Sequence, residues 1–290
     1  MPKASGEVRY PLPLVPLSFH LNDSLTNAIN HADQQCMQEL QESVDTVAST
    51  FEGFGKQEIK EMGYSPDAFV QMSYQLAYSK LHDGRPAATY EACSTASHFH
   101  GRTETIRSCS EEARSLVLGC LDNNVAKDQR VQLLNAAATQ QSVLSRAAAG
   151  GMGVDRHLMA LGALAKQNGM SNDANIMGLF EDPLYTYVFG CWSVGWVQSV
   201  FTFFSFAFVF SPYRRSSTWI LSTSNVAAPW LSNFGFGPTA PDGYGLGYQI
   251  LNDQVPMHIT SWTASNESLT SQAMFDGICE AMDELKSFHQ

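Results

Sequence analysis

From Leu184 to Tyr213 the chain carries no charged side chain. Within that run, Val188–Phe210 is 23 residues long and holds seven phenylalanines and two tryptophans. Such a stretch has few destinations. As a helix it would be about 34 Å long, enough to cross a bilayer core of ~30 Å. Glu181 and Asp182 precede it and Arg214 and Arg215 follow it, which would turn its C-terminal side toward the cytoplasm or matrix. Phe, Val and Thr suit strands equally well, so a buried hairpin is the second destination. Sequence inserted into a fold that does not need it is the third.

The rest of the chain is ordinary in composition. At 290 residues with 44% hydrophobic content it can bury a substantial core, as one large domain or two small ones. A formal net charge of −11 argues against a nucleic-acid binder, which would show a basic face, while leaving room for local basic pockets that hold phosphates. The six cysteines, at 36, 93, 109, 120, 191 and 279, include no C-x-x-C pair. Zinc and thioredoxin-type sites are therefore not expected, and a reducing compartment suits them. The opening "MPKASGEVRYPLPLVPLSFHLND" lacks both the apolar core of a signal peptide and the Arg/Ser richness of a transit peptide. Its prolines at 2, 11, 13 and 16 make residues 1–17 read as a linker, with a domain over 18–290.

Helical signals dominate early. "NDS" at 22–24 is a capping cluster, and Leu25, Ile29, Ala32, Cys36, Leu40, Val44, Val47 and Phe51 recur at steps of three and four, which predicts one long helix ending at Gly53 and Gly55. Ser65-Pro66-Asp67 opens a second helix, with Phe69, Met72 and Leu76 inward, that ends near Gly84. Further helices are predicted from Ser110 to Leu121, from Asp128 to Ala149 and from Val154 to Gly169, and a last one from the cap Ser265. Strand signals come late. "TWILSTSNV" and "VPMHITSW" are β-rich, and "PTAPDGYGLGYQI" reads as a turn leading into a strand. The fold class that follows is α/β, with a mixed sheet covered by helices.

One segment fits neither pattern. "TYEACSTASHFHGRTETIRS", Thr89 to Ser108, gathers hydroxyls, carboxylates, two arginines and two histidines with few bulky apolar groups. With four other blocks it resembles the choline/carnitine acyltransferase family. Those blocks are "FGKQEIKEMGYSPDAF" (54–69), "DRHLMAL" (155–161), "LSTSNV" (221–226) and "FGPTAPDGYGLGY" (236–248). Their order matches the C-terminal half of the family's proteins, and "CSTA" with "HGRTETIR" leans toward the palmitoyl-transferring, mitochondrial branch.

The resemblance implies one half of a two-domain, chloramphenicol-acetyltransferase-like fold that moves fatty acyl groups between coenzyme A and carnitine. Both are substrates; no bound cofactor and no metal are implied. Carnitine's carboxylate would be met by Tyr90, Thr103 and Arg156, since a carboxylate needs hydroxyl donors and a cation. The family's further serine, in Y-E-S, is Ala92 here. Phe236 would face the trimethylammonium, which accepts no hydrogen bond and is best met by an aromatic ring. Coenzyme A would be held by Gly55, Lys56, Lys60, Ser65 and Asp67, with the lysines as point charges on phosphate. Ser224 would stabilise the oxyanion, and Ser222 would help hold substrate.

The general base is the piece not found. Deprotonating carnitine's hydroxyl is work for a histidine, which the family carries in an H-x-x-x-D-G motif. None of the histidines at 20, 31, 82, 98, 100, 157, 258 and 289 stands in that pattern. The chain is accordingly expected to be a C-terminal fragment, inactive alone. The alternative is an inactive relative that only binds coenzyme A or carnitine, membrane-associated through 188–210. In the family D-P-x-Y leads to L-S-T-S within about seven residues. Here "DPLY" ends at Tyr185, and residues 186–213 read as an in-frame insertion of 28 residues, as a retained intron or alternative exon would leave.

Overall fold

The computed structural model describes residues 15–36, 42–170, 173, 218–226, 228, 230–263 and 269–289. Residues 186–213, with the proposed span 188–210, lie outside these, as does most of the expected linker. Among the described residues no helix is long and apolar enough to cross a membrane.

Six strands form one mixed sheet in the order β1-β6-β5-β4-β2-β3. They are β1 (Val44–Phe51), β2 (Thr89–Ser94), β3 (Thr103–Ile106), β4 (Leu221–Asn225), β5 (Tyr244–Tyr248) and β6 (Val255–Trp262). The centre is parallel: β2 runs beside β4, and β4 beside β5. The flanks are antiparallel, with β6 on β5, β1 on β6 and β3 on β2. The helices are α1 (Asp23–Gln35), α2 (Lys56–Glu61), α3 (Pro66–Leu81), α4 (Glu111–Leu121), α5 (Lys127–Ala149), α6 (Asp155–Gln167) and α7 (Ser271–Ser287). The expected α/β class, a mixed sheet covered by helices, is what the chain adopts.

The core lies between one face of the sheet and the helices α3, α5 and α7. α3 is its spine. Ser65 stands at its N-cap and Pro66 opens it, as a ring with φ fixed near helical values allows. Every residue from Ala68 to Ser79 is buried, where the sequence pattern points only to Phe69, Met72 and Leu76. Several of its polar members have partners: Gln71 donates to Thr223 and Tyr248, Gln75 donates to Thr89, and Ser73 donates to the Val70 carbonyl, while among the described residues the Tyr74 and Ser79 hydroxyls are buried without one. On the other side α3 packs against α7, α4 and α5. α7 presents Met274, Phe275, Ile278, Met282 and Leu285 inward, all buried.

Several elements differ from the sequence expectation, β2 and β3 among them, since segment 89–108 shows neither pattern in sequence. The periodic stretch from Leu25 to Phe51 is not one helix. α1 stops at Gln35 and contributes no buried residue, and Val44–Phe51 is the edge strand β1, paired with β6 from Val44 opposite Trp262 to Phe51 opposite Val255. Valines and threonines crowd that second half, and the backbone hydrogen bonds offered by β6 outweigh the accidental three–four spacing. The last helix begins at Ser271 rather than after Ser265, because the Thr270 side chain accepts from the amide of Ala273. The short α2 has no counterpart in the sequence expectation.

Candidate active site

Strand alternation sorts the chemistry onto two faces. In register, Tyr90 lies opposite Ser222 and Glu91 opposite Thr223. On the next strand, Ser222 lies opposite Gly245 and Ser224 opposite Gly247. Tyr90, Ala92, Ser222 and Ser224 therefore share the face away from α3, while Glu91 and Thr223 point into the helical core.

The core-side residues fix the strands that carry the site. The Thr223 hydroxyl accepts from Gln71 at 3.0 Å and donates to the Tyr90 carbonyl at 2.9 Å. Its neighbours Ser222 and Ser224 must then face outward. Ser222 is buried and Ser224 half-buried, and among the described residues neither hydroxyl has a hydrogen-bond partner. Both can donate to a bound group.

Arg156, second residue of α6, meets two strands. Its Nη2 donates to the Thr103 hydroxyl at 3.2 Å and to the Tyr90 hydroxyl at 3.4 Å, and its Nε donates to the Thr103 carbonyl at 3.1 Å. The three residues singled out for a carboxylate thus converge from β2, β3 and α6. Ala92 faces the same side. Opposite it stands Thr105, whose hydroxyl is buried without a partner among the described residues.

Phe236 reaches this face by a close backbone approach. The Thr260 hydroxyl donates to its carbonyl at 2.6 Å. A Cβ at Gly245 would stand 2.5 Å from that same carbonyl oxygen, and one at Gly247 would stand 2.3 Å from the Phe234 carbonyl oxygen. The two glycines of "YGLGY" let residues 234–237 lie directly on β5. His258 occupies the same cross-strand row as Ser224, beyond Gly247. A Cβ at Gly235 would overlap its Nδ1, so segment 234–237 lies over the ring and between it and Ser224.

The residues expected to hold coenzyme A divide. Lys56 and Lys60 of α2 are exposed, with no ion-pair partner among the described residues, and Ser65 is exposed beside them. Gly55 caps α2 where a side chain would strike the 251–254 turn. The amides of Lys56 and Gln57 are already taken by the carbonyls of Leu251 and Asn252, so the lysine ammonium groups, not this helix end, are what a phosphate could use. Asp67 is committed internally: it accepts from Tyr248 at 2.8 Å and from Asn225 at 3.1 Å. That tie places the start of α3, and α2 packed on it, at the end of β4 just past Ser224.

Glu91 is 4% exposed and accepts from Gln141 at 2.6 Å and Ser108 at 3.2 Å. Burial, then the charge of Asp67 and a hydrogen bond with it, push its carboxyl well above the ordinary 4.5, to about 10. Glu91 is held protonated at neutral pH. Sequence reasoning misses Glu91 and Asp67 as a unit. It also misses Arg107, Asp155 and Trp219, which surround Arg156 and Tyr90; a charged dyad split across 48 positions leaves no local signature.

The family model for choline/carnitine O-acyltransferases matches residues 2–279. Peroxisomal carnitine O-octanoyltransferase of Mus musculus is 32% identical over 267 residues, 92% of this chain and 38% of that protein. Mitochondrial carnitine O-acetyltransferase of Saccharomyces cerevisiae is 31% identical, over 93% of this chain and 35% of that protein. Mitochondrial carnitine O-palmitoyltransferase 2 of Bos taurus is 28% identical, over 93% and 36%. The chain spans little more than a third of the length of these relatives. A solved wax ester synthase/diacylglycerol acyltransferase from Marinobacter aquaeolei VT8 aligns over 91% of this chain and 55% of that one, at TM-score 0.37 and 13% identity, too distant to carry an argument. The chain belongs to the choline/carnitine O-acyltransferase family.

Proposed function

We propose that this chain carries the carnitine-binding and oxyanion-stabilising part of a carnitine O-acyltransferase, with acyl-coenzyme A as the acyl donor. The observation that carries the reading is the convergence of Arg156, Thr103 and Tyr90 on the face that also bears Ser222 and Ser224. A carboxylate bound there would take charge-assisted hydrogen bonds from the guanidinium and the two hydroxyls. The trimethylammonium group would lie against Phe236.

In the proposed transfer, the carnitine hydroxyl oxygen attacks the thioester carbonyl. A C–O bond forms, the C–S bond breaks, and the hydroxyl proton ends on the departing thiolate. The tetrahedral intermediate carries its negative charge on the former carbonyl oxygen. Donation from Ser224 to that oxygen is worth about 3–4 kcal/mol in the transition state. Lys56 and Lys60 would meet the phosphates of coenzyme A, and Gly55, Ser65 and Asp67 would shape that end of the site. The proton needs a base that none of the chain's histidines supplies in the family's pattern, so any transfer by these residues alone would be slower by a factor of about 10²–10⁴.

Long-chain fatty acyl groups and a mitochondrial location are the finer proposals, carried by the palmitoyl-type lean of "CSTA" and "HGRTETIR". The relatives named above act, by their names, on octanoyl, acetyl and palmitoyl groups, so an acyl-coenzyme A series is the measurement for chain length. The first test is calorimetric titration of the chain with L-carnitine and with coenzyme A. Saturable L-carnitine binding that Arg156→Ala weakens at least tenfold sustains the reading. Binding indifferent to that change sinks it.

A further inference from the structure

We infer that Arg107 is a positioning residue that sets the mutual orientation of Arg156 and Tyr90, an inference that rests on the carboxylate-binding reading above. Arg107 lies just past the end of β3. Its Nε donates to Asp155 Oδ2 at 2.9 Å and its Nη2 to Asp155 Oδ1 at 2.6 Å. A two-pronged pair of this kind fixes direction as well as distance. Asp155 is 5% exposed and is the first residue of α6. Arg156 is the second, so the anchored carboxylate fixes where α6 begins and the direction in which the Arg156 side chain leaves it.

The same guanidinium lies 4.9 Å above the centre of the Trp219 ring. Trp219, two residues before β4, packs its ring 5.6 Å from that of Tyr90, tilted by 57°. One cation therefore braces both sides of the cluster, α6 through Asp155 and β2 through Trp219. Lysine could keep the charge but neither the fork nor the flat stacking surface. In these contacts Arg107 reaches Arg156 by way of Asp155 and Tyr90 by way of Trp219.

The test uses the full chain with Arg107→Lys and, as a second variant that keeps the pair with Asp155, Trp219→Phe. Two properties are read. One is the Nε–H resonance of Arg156 in an arginine-edited NMR spectrum, identified by its loss in Arg156→Lys. The other is affinity for L-carnitine against choline, which shares the trimethylammonium but lacks the carboxylate. The inference expects both variants to shift or broaden the Arg156 resonance. L-Carnitine should bind about tenfold more weakly, as misalignment of one charged hydrogen bond would cause, with choline affinity unchanged. An unmoved resonance with unchanged L-carnitine affinity overturns it. So does equal weakening of both ligands together with a lowered thermal midpoint, which would mark Arg107 as merely structural. If the unaltered chain binds neither ligand, the carboxylate-binding reading fails by itself, and the Arg156 resonance decides the positioning role: moved, it stands; unmoved, it falls. Should Arg107→Lys fail to fold, the same two properties measured on Trp219→Phe decide between these outcomes.

Discussion

Tyr248 donates its hydroxyl to Asp67 at 2.8 Å, joining the last residue of β5 to the first turn of α3. Both groups lie on the core side, behind the strand that bears Ser222 and Ser224. Asp67 also accepts from Asn225, the residue after Ser224, and the Tyr248 hydroxyl also accepts from Gln71. The contact is a clamp on the end of β4, and its loss should be felt both as stability and at the serine.

Tyr248→Phe removes the clamp without leaving a cavity. It takes one of two acceptors from the Gln71 amide, which keeps Thr223, and one of two donors from Asp67, which keeps Asn225. About 0.5–1.5 kcal/mol of stability should be lost, the usual net contribution of a hydrogen bond whose partners are not left unpaired. Urea denaturation measures this directly. A change below a few tenths of a kcal/mol would show that the hydrogen bond contributes nothing net.

Glu91 predicts a pH dependence of definite sign. Its folded-state pKa is raised, so the folded protein keeps a proton that the unfolded chain releases above its ordinary 4.5. Its contribution to stability is fully present below about 4.5 and falls as pH rises toward about 10. Glu91→Gln mimics the protonated form. The variant should lose this slope and gain on the parent at each step from about pH 5 to pH 9. Parallel stability–pH curves for the two proteins would refute the assignment.

Gly245→Ala should lift residues 234–237 off β5, since the new methyl carbon would stand 2.5 Å from the Phe236 carbonyl and 2.6 Å from the Thr260 hydroxyl. A cost of about 1–3 kcal/mol follows from overpacking. The Phe236 ring resonances should also shift, which is the sharper readout. Unshifted ring resonances there would mean that the strand yields rather than the segment.

Lys56 and Lys60 predict salt dependence. If both meet phosphates, Lys56→Ala with Lys60→Ala should weaken coenzyme A binding and flatten its decline with added salt, because exposed charges are screened over about 10 Å at 0.1 M. Titrations at two ionic strengths check it. An unchanged salt slope would remove the lysines from the phosphate contact.

The motifs make the site more legible than the fold. Tyr90, Thr103 and Arg156 are far apart in sequence, and hydrogen-bond chemistry with a family resemblance suffices to group them; the structure then brings them within contact. Strand β1 is not legible, because Val44, Val47 and Phe51 satisfy a helical period by chance and the decisive term, pairing with β6, lies more than 200 residues away. The bracing of Arg156 through Asp155, Arg107 and Trp219 is equally hidden. Each of those residues has an ordinary sequence context, and only their juxtaposition gives them meaning.

Along Ala68–Ser79, α3 has no solvent-facing side. Its amide protons can therefore leave only when the sheet and the outer helices part from it together. Local fraying, the usual route of exchange for a helix, is closed to the middle of this one. The exchange rate of those amides should report the opening of the whole described core, so a ligand that steadies the distant serine-bearing strand would be read out, quantitatively, in the slowest protons of a helix it never touches.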